Sequence, residues 1–310
     1  MNRTGTNITA IPHSRYLTNS LINFISLFAE IVKIKITVLV SLTTALGYFL
    51  GVEKISLEVI YPVIGIFILA CGSAALNQYQ EREEDLLMNR TKNRPIPSDR
   101  ITPGSVLFIS LVLLIMGSFI LILKTNLTTL IIGLLAFFWY NGIYTPLKKK
   151  MVFAIIPGSI VGALPPLAGW AATGSNVFDI NILIVAFYFF VWQIPHFWLL
   201  LLIYGKDYER GGFPVLTNKL KEKTIVGITF IMLVVTIIIA AILPGLNIIN
   251  FSVTSFVLWI FCLIMFLTAF RFLNSDFSNK RILKTFVGIN IFTLLLIILL
   301  SFDKIIYLKF

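Results

Sequence analysis

A row of oxygen-bearing side chains follows the second long apolar run of the chain. Asn77, Glu81 and Asp85 are spaced four residues apart. If a helix continues through them, they share one face, with about 6 Å of rise between neighbours. An amide oxygen and two carboxylates in such a row can hold a hard divalent cation, and Mg²⁺ commonly combines one or two carboxylates with substrate phosphates. The spacing predicts a metal site at this helix end.

Basic side chains come soon after this row. Arg90, Lys92 and Arg94 can donate to phosphate oxygens. Acids for a metal and guanidinium groups for phosphate, side by side at a membrane surface, suggest an amphiphile whose diphosphate stays at the interface. The alternative is a solvated loop whose charges pair with each other, which is the commoner meaning of a mixed-charge run. The position at a helix exit favours the binding site.

The elements that must position these residues are membrane helices. Of 310 residues, 58% are hydrophobic and only 13% are charged, which is too apolar for a soluble domain. A span needs roughly 20 apolar residues, and the continuous runs lack the alternation of outer-membrane strands. We expect an all-α, polytopic membrane protein with one domain over residues 1–310. The predicted spans are Ile34–Leu50, Val59–Leu76, Gly104–Leu123, Leu127–Tyr144, Val152–Ala171, Ile180–Tyr204, Thr224–Leu243, Phe251–Phe270 and Ile282–Phe302.

The basic residues predict the orientation. The formal net charge is +11, and most of the 25 Lys and Arg residues lie in the N-terminal tail or follow even-numbered spans. Because cytoplasmic loops retain Lys and Arg, we expect the N-terminus inside and the C-terminus on the opposite side. The predicted cytoplasmic segments are the tail 1–22, an acidic and basic loop 77–103, and a second loop 205–223.

A second group of candidates lies in and after the sixth span. Asp207 and Glu209 follow that span on the predicted cytoplasmic side, and His196 lies within it. A histidine in a membrane segment is a functional candidate by default, although a hydrogen bond between packed helices explains it equally well.

Four stretches carry a resemblance to a known family. They are the run from Asn77 to Pro95, the segment Tyr144-Thr145-Pro146-Leu147-Lys148-Lys149, the segment from Gly162 to Gly169, and the segment from Trp192 to Trp198 followed by Lys206-Asp207-Tyr208. Together they resemble the UbiA superfamily of intramembrane prenyltransferases, and within it the members that farnesylate heme. Two departures stand out: Glu81 occupies a position where many members have Asp, and Asp207 with Glu209 replaces a pair of aspartates.

The resemblance implies a reaction and its site. The substrates are farnesyl diphosphate and heme b, and the product is heme O. The reaction takes place in a bacterial inner membrane, upstream of a heme A synthase. The expected partners include membrane lipid and exclude nucleic acid. Heme b is then a substrate and Mg²⁺ the cofactor. The implied catalytic and metal-binding residues are Asn77, Glu81, Asp85 and Asp207. The implied diphosphate-binding residues are Arg90, Arg94 and Lys148, and those for the heme acceptor are His196, Trp192 and Tyr144.

Two other functions remain open at this stage. A prenyltransferase of the same fold that acts on an aromatic quinone precursor would share the metal site. A transporter would also use many helices with intramembrane Pro and Gly, but it is expected to place ionisable groups near mid-membrane, whereas the charges here gather at one surface.

Overall fold

The computed structural model describes residues 23–246, 248–273 and 278–309, so the predicted tail 1–22 lies outside the described residues. The described part is helical. Eight helices are long and apolar enough to cross a membrane, and a shorter apolar helix lies between the fourth and fifth of them. In chain order, the nine helices are α1 Ile34–Gly51, α2 Leu57–Gln80, α3 Pro103–Lys124, α4 Leu127–Lys148, α5 Ile155–Ala171, α6 Ile180–Arg210, α7 Glu222–Leu246, α8 Ser252–Leu273 and α9 Asn279–Lys309.

The expectation of about nine spans in an all-α bundle is confirmed, and large apolar side chains such as Phe119 and Phe256 are exposed on its outside, as lipid-facing residues would be. The extents of the single domain and of the two cytoplasmic loops stay predictions.

Helix α2 does not continue unbroken through the acidic row. It ends at Gln80, Glu81 has φ −108° and ψ 12°, and a short helix, Arg82–Leu87, follows. The condition of one continuous helix is therefore not met. The amide of Glu81 still donates to Asn77 O at 3.0 Å, and that of Asp85 to Glu81 O at 2.8 Å. These bonds keep the three side chains close in spite of the bend.

Neighbouring helices mostly follow chain order, and the last returns to the first. Helix α2 packs on α1 and α3, α6 packs on α5 and α7, and α9 packs on α8, α6 and α1. Helix α1 is a shared partner, because it contacts α2, α5 and α9. The bundle is therefore closed on itself.

Two glycines bring α1 and α5 into close contact. A Cβ atom at Gly47 would lie 1.9 Å from Pro166 O, and one at Gly169 would lie 1.9 Å from Thr44 O. Small residues are what allow helix backbones to approach this closely in lipid. The pair fixes the position of α1, whose first residue follows Lys33.

Helix α4 widens just before its charged end. Residues Trp139–Tyr144 form a π-helical turn, followed by the α-helical turn Thr145–Lys148. Such wide turns shift the side chains that follow them and are frequent at functional sites. Here the turn presents Tyr144, Thr145 and Lys148 to the acidic row of α2.

Candidate active site

The centre of the site is a polar cluster at the ends of α2 and α4. Asn77 Nδ2 donates to Glu81 Oε1 and, at 3.1 Å, to Thr145 Oγ1. The Lys148 ammonium group lies 2.5 Å from Glu81 Oε1. Asn77 and Glu81 are both buried. The structure thus brings two acidic-row residues and the predicted diphosphate ligand Lys148 into direct contact.

Glu81 remains ionised in this cluster. Burial is the largest influence and by itself raises the pKa of the Glu81 carboxyl group, but the positive charges of Lys148 and Lys33 and the hydrogen bonds from Lys148 and Asn77 together outweigh it. Its pKa therefore lies below its ordinary value. A buried carboxylate held negative by ammonium groups can bind a metal cation if those groups give way to it.

Lys33 enters the cluster from the start of α1. Its Nζ donates to Asn77 Oδ1 at 2.5 Å. Burial, followed by the charge of Arg94, lowers the pKa of the Lys33 amine to about 7. Lys33 therefore belongs to the site, although no sequence motif pointed to it.

Asp85 is the most enclosed carboxylate of the row. Its side chain has no exposed surface, and Arg94 Nη1 donates to its two oxygens at 2.8 and 2.7 Å. Thr91 Oγ1 donates to the Asp85 backbone carbonyl at 3.0 Å. The predicted metal ligand and the predicted phosphate ligand are thus bound to each other, and the loop between them folds back on the short helix.

Asp207 approaches the site from the end of α6 and binds backbone groups. Its carboxylate accepts from the amides of Asn89 and Arg90 at 2.8 and 3.0 Å. The Arg90 guanidinium group lies over the rings of Tyr204 and Tyr208, 5.4 and 5.6 Å from their centroids. Asp207 therefore holds the loop that carries Arg90. Glu209, its neighbour in sequence, accepts instead from Asn218 Nδ2 at 2.9 Å on the surface.

A row of aromatic rings joins the charged cluster to the candidate acceptor residues. Lys148 Nζ lies 5.6 Å from the centroid of the Tyr144 ring. The Tyr144 and Phe197 centroids are 6.1 Å apart, those of Phe197 and His196 5.5 Å, and those of His196 and Trp192 4.9 Å. His196 Nδ1 is buried without a hydrogen-bond partner. The three candidate acceptor residues therefore lie along one continuous row.

A small cleft of about 60 Å³ lies beside this row. Tyr144, Lys148, Phe197, Tyr208 and Phe213 are among the residues that line it, and its walls are mostly apolar. The cleft thus joins an apolar space to the charged cluster.

The oxygen atoms of the acidic row suit a hard divalent cation. Amide and carboxylate oxygens are the donors that Mg²⁺ prefers, and those of Asn77, Glu81 and Asp85 now bind cationic side chains. Over residues 23–246, 248–273 and 278–309, no three Asp, Glu, His or Cys side chains gather closely enough to hold a metal alone. Any metal here must take further ligands from substrate phosphates or water.

The sequence reading missed Lys33, Thr145 and Tyr208 as members of the site. Thr145 and Tyr208 lie within the segments that carry the family resemblance, so their proximity could have been inferred. Lys33 lies 44 residues before its partner Asn77, and only the packing of α1 on α2 brings them together.

Comparisons with known proteins identify the family of the chain. Residues 39–297 match the UbiA prenyltransferase family. The chain is similar to the protoheme IX farnesyltransferase of Bdellovibrio bacteriovorus, with 34% identity over 293 residues, covering 90% of this chain and 96% of the relative. It is similar to that of Solibacter usitatus, with 36% identity over 200 residues, covering 61% of this chain and 68% of the relative.

Two solved structures share the fold. A structure of digeranylgeranylglyceryl phosphate synthase superposes with a TM-score of 0.73 at 17% identity and covers 91% of this chain and 98% of that one. A UbiA homologue from Archaeoglobus fulgidus, bound to GPP and Mg²⁺, superposes with a TM-score of 0.66 at 15% identity and covers 90% of this chain and 99% of that one. The family match over most of the chain shows that this integral membrane protein belongs to the UbiA prenyltransferase family.

Proposed function

We propose that this prenyltransferase transfers the farnesyl group of farnesyl diphosphate to a vinyl group of heme b, giving heme O and diphosphate. One observation carries the site assignment: Lys148 contacts both the acidic row, through Glu81, and the aromatic row, through Tyr144. The relatives named protoheme IX farnesyltransferase support heme b as the acceptor.

The diphosphate is proposed to bind between the acidic row and the loop that follows it. Arg90, Arg94 and Lys148 are the proposed ligands of its oxygens, because their guanidinium and ammonium groups can donate charge-assisted hydrogen bonds to phosphate. Arg94 is paired with Asp85, and Lys148 is paired with Glu81. We expect both to exchange these partners, at least in part, for phosphate oxygens.

Asn77, Glu81 and Asp85 are the proposed ligands of Mg²⁺. A bound Mg²⁺ would neutralise charge on the diphosphate leaving group. Asp207 was also expected to be a metal ligand, but its bonds to the amides of Asn89 and Arg90 support a role in anchoring the loop that carries Arg90. We therefore propose anchoring as its main role.

The proposed reaction begins with cleavage of the bond between farnesyl C1 and the diphosphate oxygen, which keeps the electron pair. The vinyl π electrons of heme b then bond to C1. The cation left on the porphyrin side takes up water and loses a proton, so that heme b, farnesyl diphosphate and water become heme O and diphosphate. The rings of Tyr144 and Phe197 can stabilise the allylic cation electrostatically, and the apolar lining of the cleft would help to keep water from it before the new bond forms.

His196 and Trp192 are proposed to contact the heme, with Tyr144 between them and the diphosphate. The buried and unpartnered Nδ1 of His196 supports this role, because such a group needs a ligand or an ordered polar partner. The distribution of Lys and Arg supports a cytoplasmic N-terminus in a bacterial inner membrane, with the site on the cytoplasmic side. The product would then pass to a heme A synthase.

The test is an acceptor comparison with the purified full chain in detergent. Farnesyl diphosphate and Mg²⁺ are supplied with either heme b or 4-hydroxybenzoate. The products are separated by chromatography and identified by mass spectrometry. We expect heme O from heme b, no prenylated benzoate, and no product when a chelator removes the metal. A prenylated benzoate without heme O would contradict the heme assignment, and undiminished turnover with the chelator would contradict the metal role.

A further inference from the structure

Two lysine ammonium groups occupy the oxygens that the proposed metal needs. Asn77 Nδ2 already binds Glu81 and Thr145, so Asn77 Oδ1 is the atom of this amide that can take a cation, and Lys33 Nζ lies 2.5 Å from it. Lys148 Nζ lies 2.5 Å from Glu81 Oε1. Lys148 has a proposed role as a diphosphate ligand, whereas Lys33 is not among the proposed diphosphate or metal ligands.

Lys33 and its charged neighbours include one more basic side chain than carboxylates. Arg94 and Lys148 are near enough to oppose its charge, while Glu81 and Asp85 favour it. Three cations face two carboxylates there. A cluster of cations in a partly buried site is stabilised by a multiply charged anion, and the diphosphate group has that chemistry.

The backbone that carries Lys33 is held in an unusual conformation. Lys33 has φ 51° and ψ 53°, which is the left-handed region and costs energy for a side-chain-bearing residue. Gln78 Nε2 fixes the preceding turn by donating to Glu30 O and Ile31 O at 2.7 and 2.9 Å. The main chain at Lys33 is therefore tied to α2 one residue beyond Asn77, while the flexible four-carbon side chain can still turn.

We propose that Lys33 is a diphosphate-binding residue that competes with the metal for Asn77. Its ammonium group leaves Asn77 Oδ1 when that oxygen takes up the metal, and the released group binds an oxygen of the diphosphate. This inference rests on the proposed function. By linkage, the metal and the prenyl diphosphate then each raise the affinity for the other, and part of that coupling depends on Lys33.

The test measures two binding constants on the full chain in detergent. Mn²⁺ binding without substrate is followed by electron paramagnetic resonance of the free ion. Binding of an unreactive farnesyl diphosphate analogue, with sulfur in place of the leaving oxygen, is followed by calorimetry at saturating Mn²⁺. The variants are Lys33→Gln and Lys33→Met, which remove the charge, and Lys33→Arg, which keeps it. Lys35→Gln is the matched control, because Lys35 is exposed two residues further on.

For Lys33→Gln and Lys33→Met we expect Mn²⁺ alone to bind about threefold or more tightly than to wild type, because a competing cation is gone. We expect the analogue to bind about tenfold more weakly, as for the loss of one hydrogen bond to a charged group. Lys33→Arg should bind the analogue to within about threefold of wild type, and Lys35→Gln should match wild type in both constants.

The sign of the Mn²⁺ change separates this role from a purely structural one. If Lys33 merely orients Asn77, both neutral variants bind Mn²⁺ more weakly than wild type, and that result overturns the proposal. The proposal is also overturned if both neutral variants bind the analogue as tightly as wild type does. That outcome leaves the proposed function intact. If the wild-type chain itself does not bind the analogue, the proposed function fails and the inference fails with it.

Discussion

The acidic residues after α2 and those at the end of α6 have different partners. Glu81 and Asp85 are buried and bind the cationic side chains Lys148 and Arg94. Asp207 instead accepts from two backbone amides of the loop after the first group, and Glu209 binds a surface asparagine. A side-chain cation can be exchanged for a metal or a substrate phosphate, whereas a backbone amide is a fixed part of the fold. The first region is therefore suited to ligand exchange and the second to holding the first in place.

Replacement of Asp85 tests the ligand-exchange region and should have the largest effect. Asp85→Asn removes the charge of a proposed metal ligand and leaves Arg94 without its buried carboxylate, and we expect kcat to fall on the order of 10³-fold. The rate of heme O formation measures the change. Glu83→Gln is the matched control on the same short helix, since the Glu83 side chain is 80% exposed. Comparable losses in both variants would contradict a special role for Asp85.

Replacement of Asp207 separates anchoring from metal binding. Asp207→Asn weakens the contacts to the amides of Asn89 and Arg90, so we expect KM for farnesyl diphosphate to rise about tenfold, equivalent to about 1.4 kcal/mol. The Mg²⁺ concentration for half-maximal rate should stay within about twofold of wild type, because the proposed metal ligands Asn77, Glu81 and Asp85 are untouched. A much larger Mg²⁺ requirement with an unchanged KM would make Asp207 a metal ligand and remove the difference between the regions.

A substitution in the close contact of α1 with α5 should lower the stability of the whole bundle, which carries both regions. Gly169→Ala places a methyl group against Thr44 O between α1 and α5, and we expect a destabilisation of about 1–3 kcal/mol. The thermal midpoint in detergent measures it. Gly227→Ala is the control, because no atom lies within 4 Å of its added Cβ. An equal midpoint for the two variants would mean that the close contact of α1 with α5 does not support the bundle.

The smallest expected effect lies within the second region itself. Glu209→Gln alters an exposed hydrogen bond to Asn218, and we expect a change below about 0.5 kcal/mol in stability, with no change in turnover. Thermal melting and turnover of Glu209→Gln are measured in parallel with those of Asp207→Asn. A loss in Glu209→Gln as large as in Asp207→Asn would mean that the two acids act as a pair.

The span positions could be predicted because lipid imposes them. A helix that crosses a bilayer needs a long apolar run, and each of the nine predicted runs overlaps an observed helix. The bend at Glu81 was missed because the residues around it favour a helix, and the end of α2 depends on its packing against α4. The π-helical turn Trp139–Tyr144 was equally absent from the apolar pattern.

The acidic row could be predicted because four-residue spacing gathers side chains locally. Lys33 could not, since its contact with Asn77 joins the start of α1 to the end of α2 and leaves no local pattern. The partners of Asp207 are backbone amides, which every loop residue except proline possesses, so residue types carry no information about them. The roles of these residues in metal, diphosphate and heme binding stay predictions until they are measured.

The position of α1 in the closed bundle has a consequence for how the protein is made. This helix is synthesised first among the nine, yet it packs against α5 and α9 as well as α2. Membrane helices insert before they associate, and a growing chain emerges from its N-terminal end onward. The α1 helix is therefore in the bilayer before two of its packing partners, α5 and finally α9, have been inserted. The charged cluster that Lys33 completes draws its side chains from residues 33–148, so it can assemble before α9 is made.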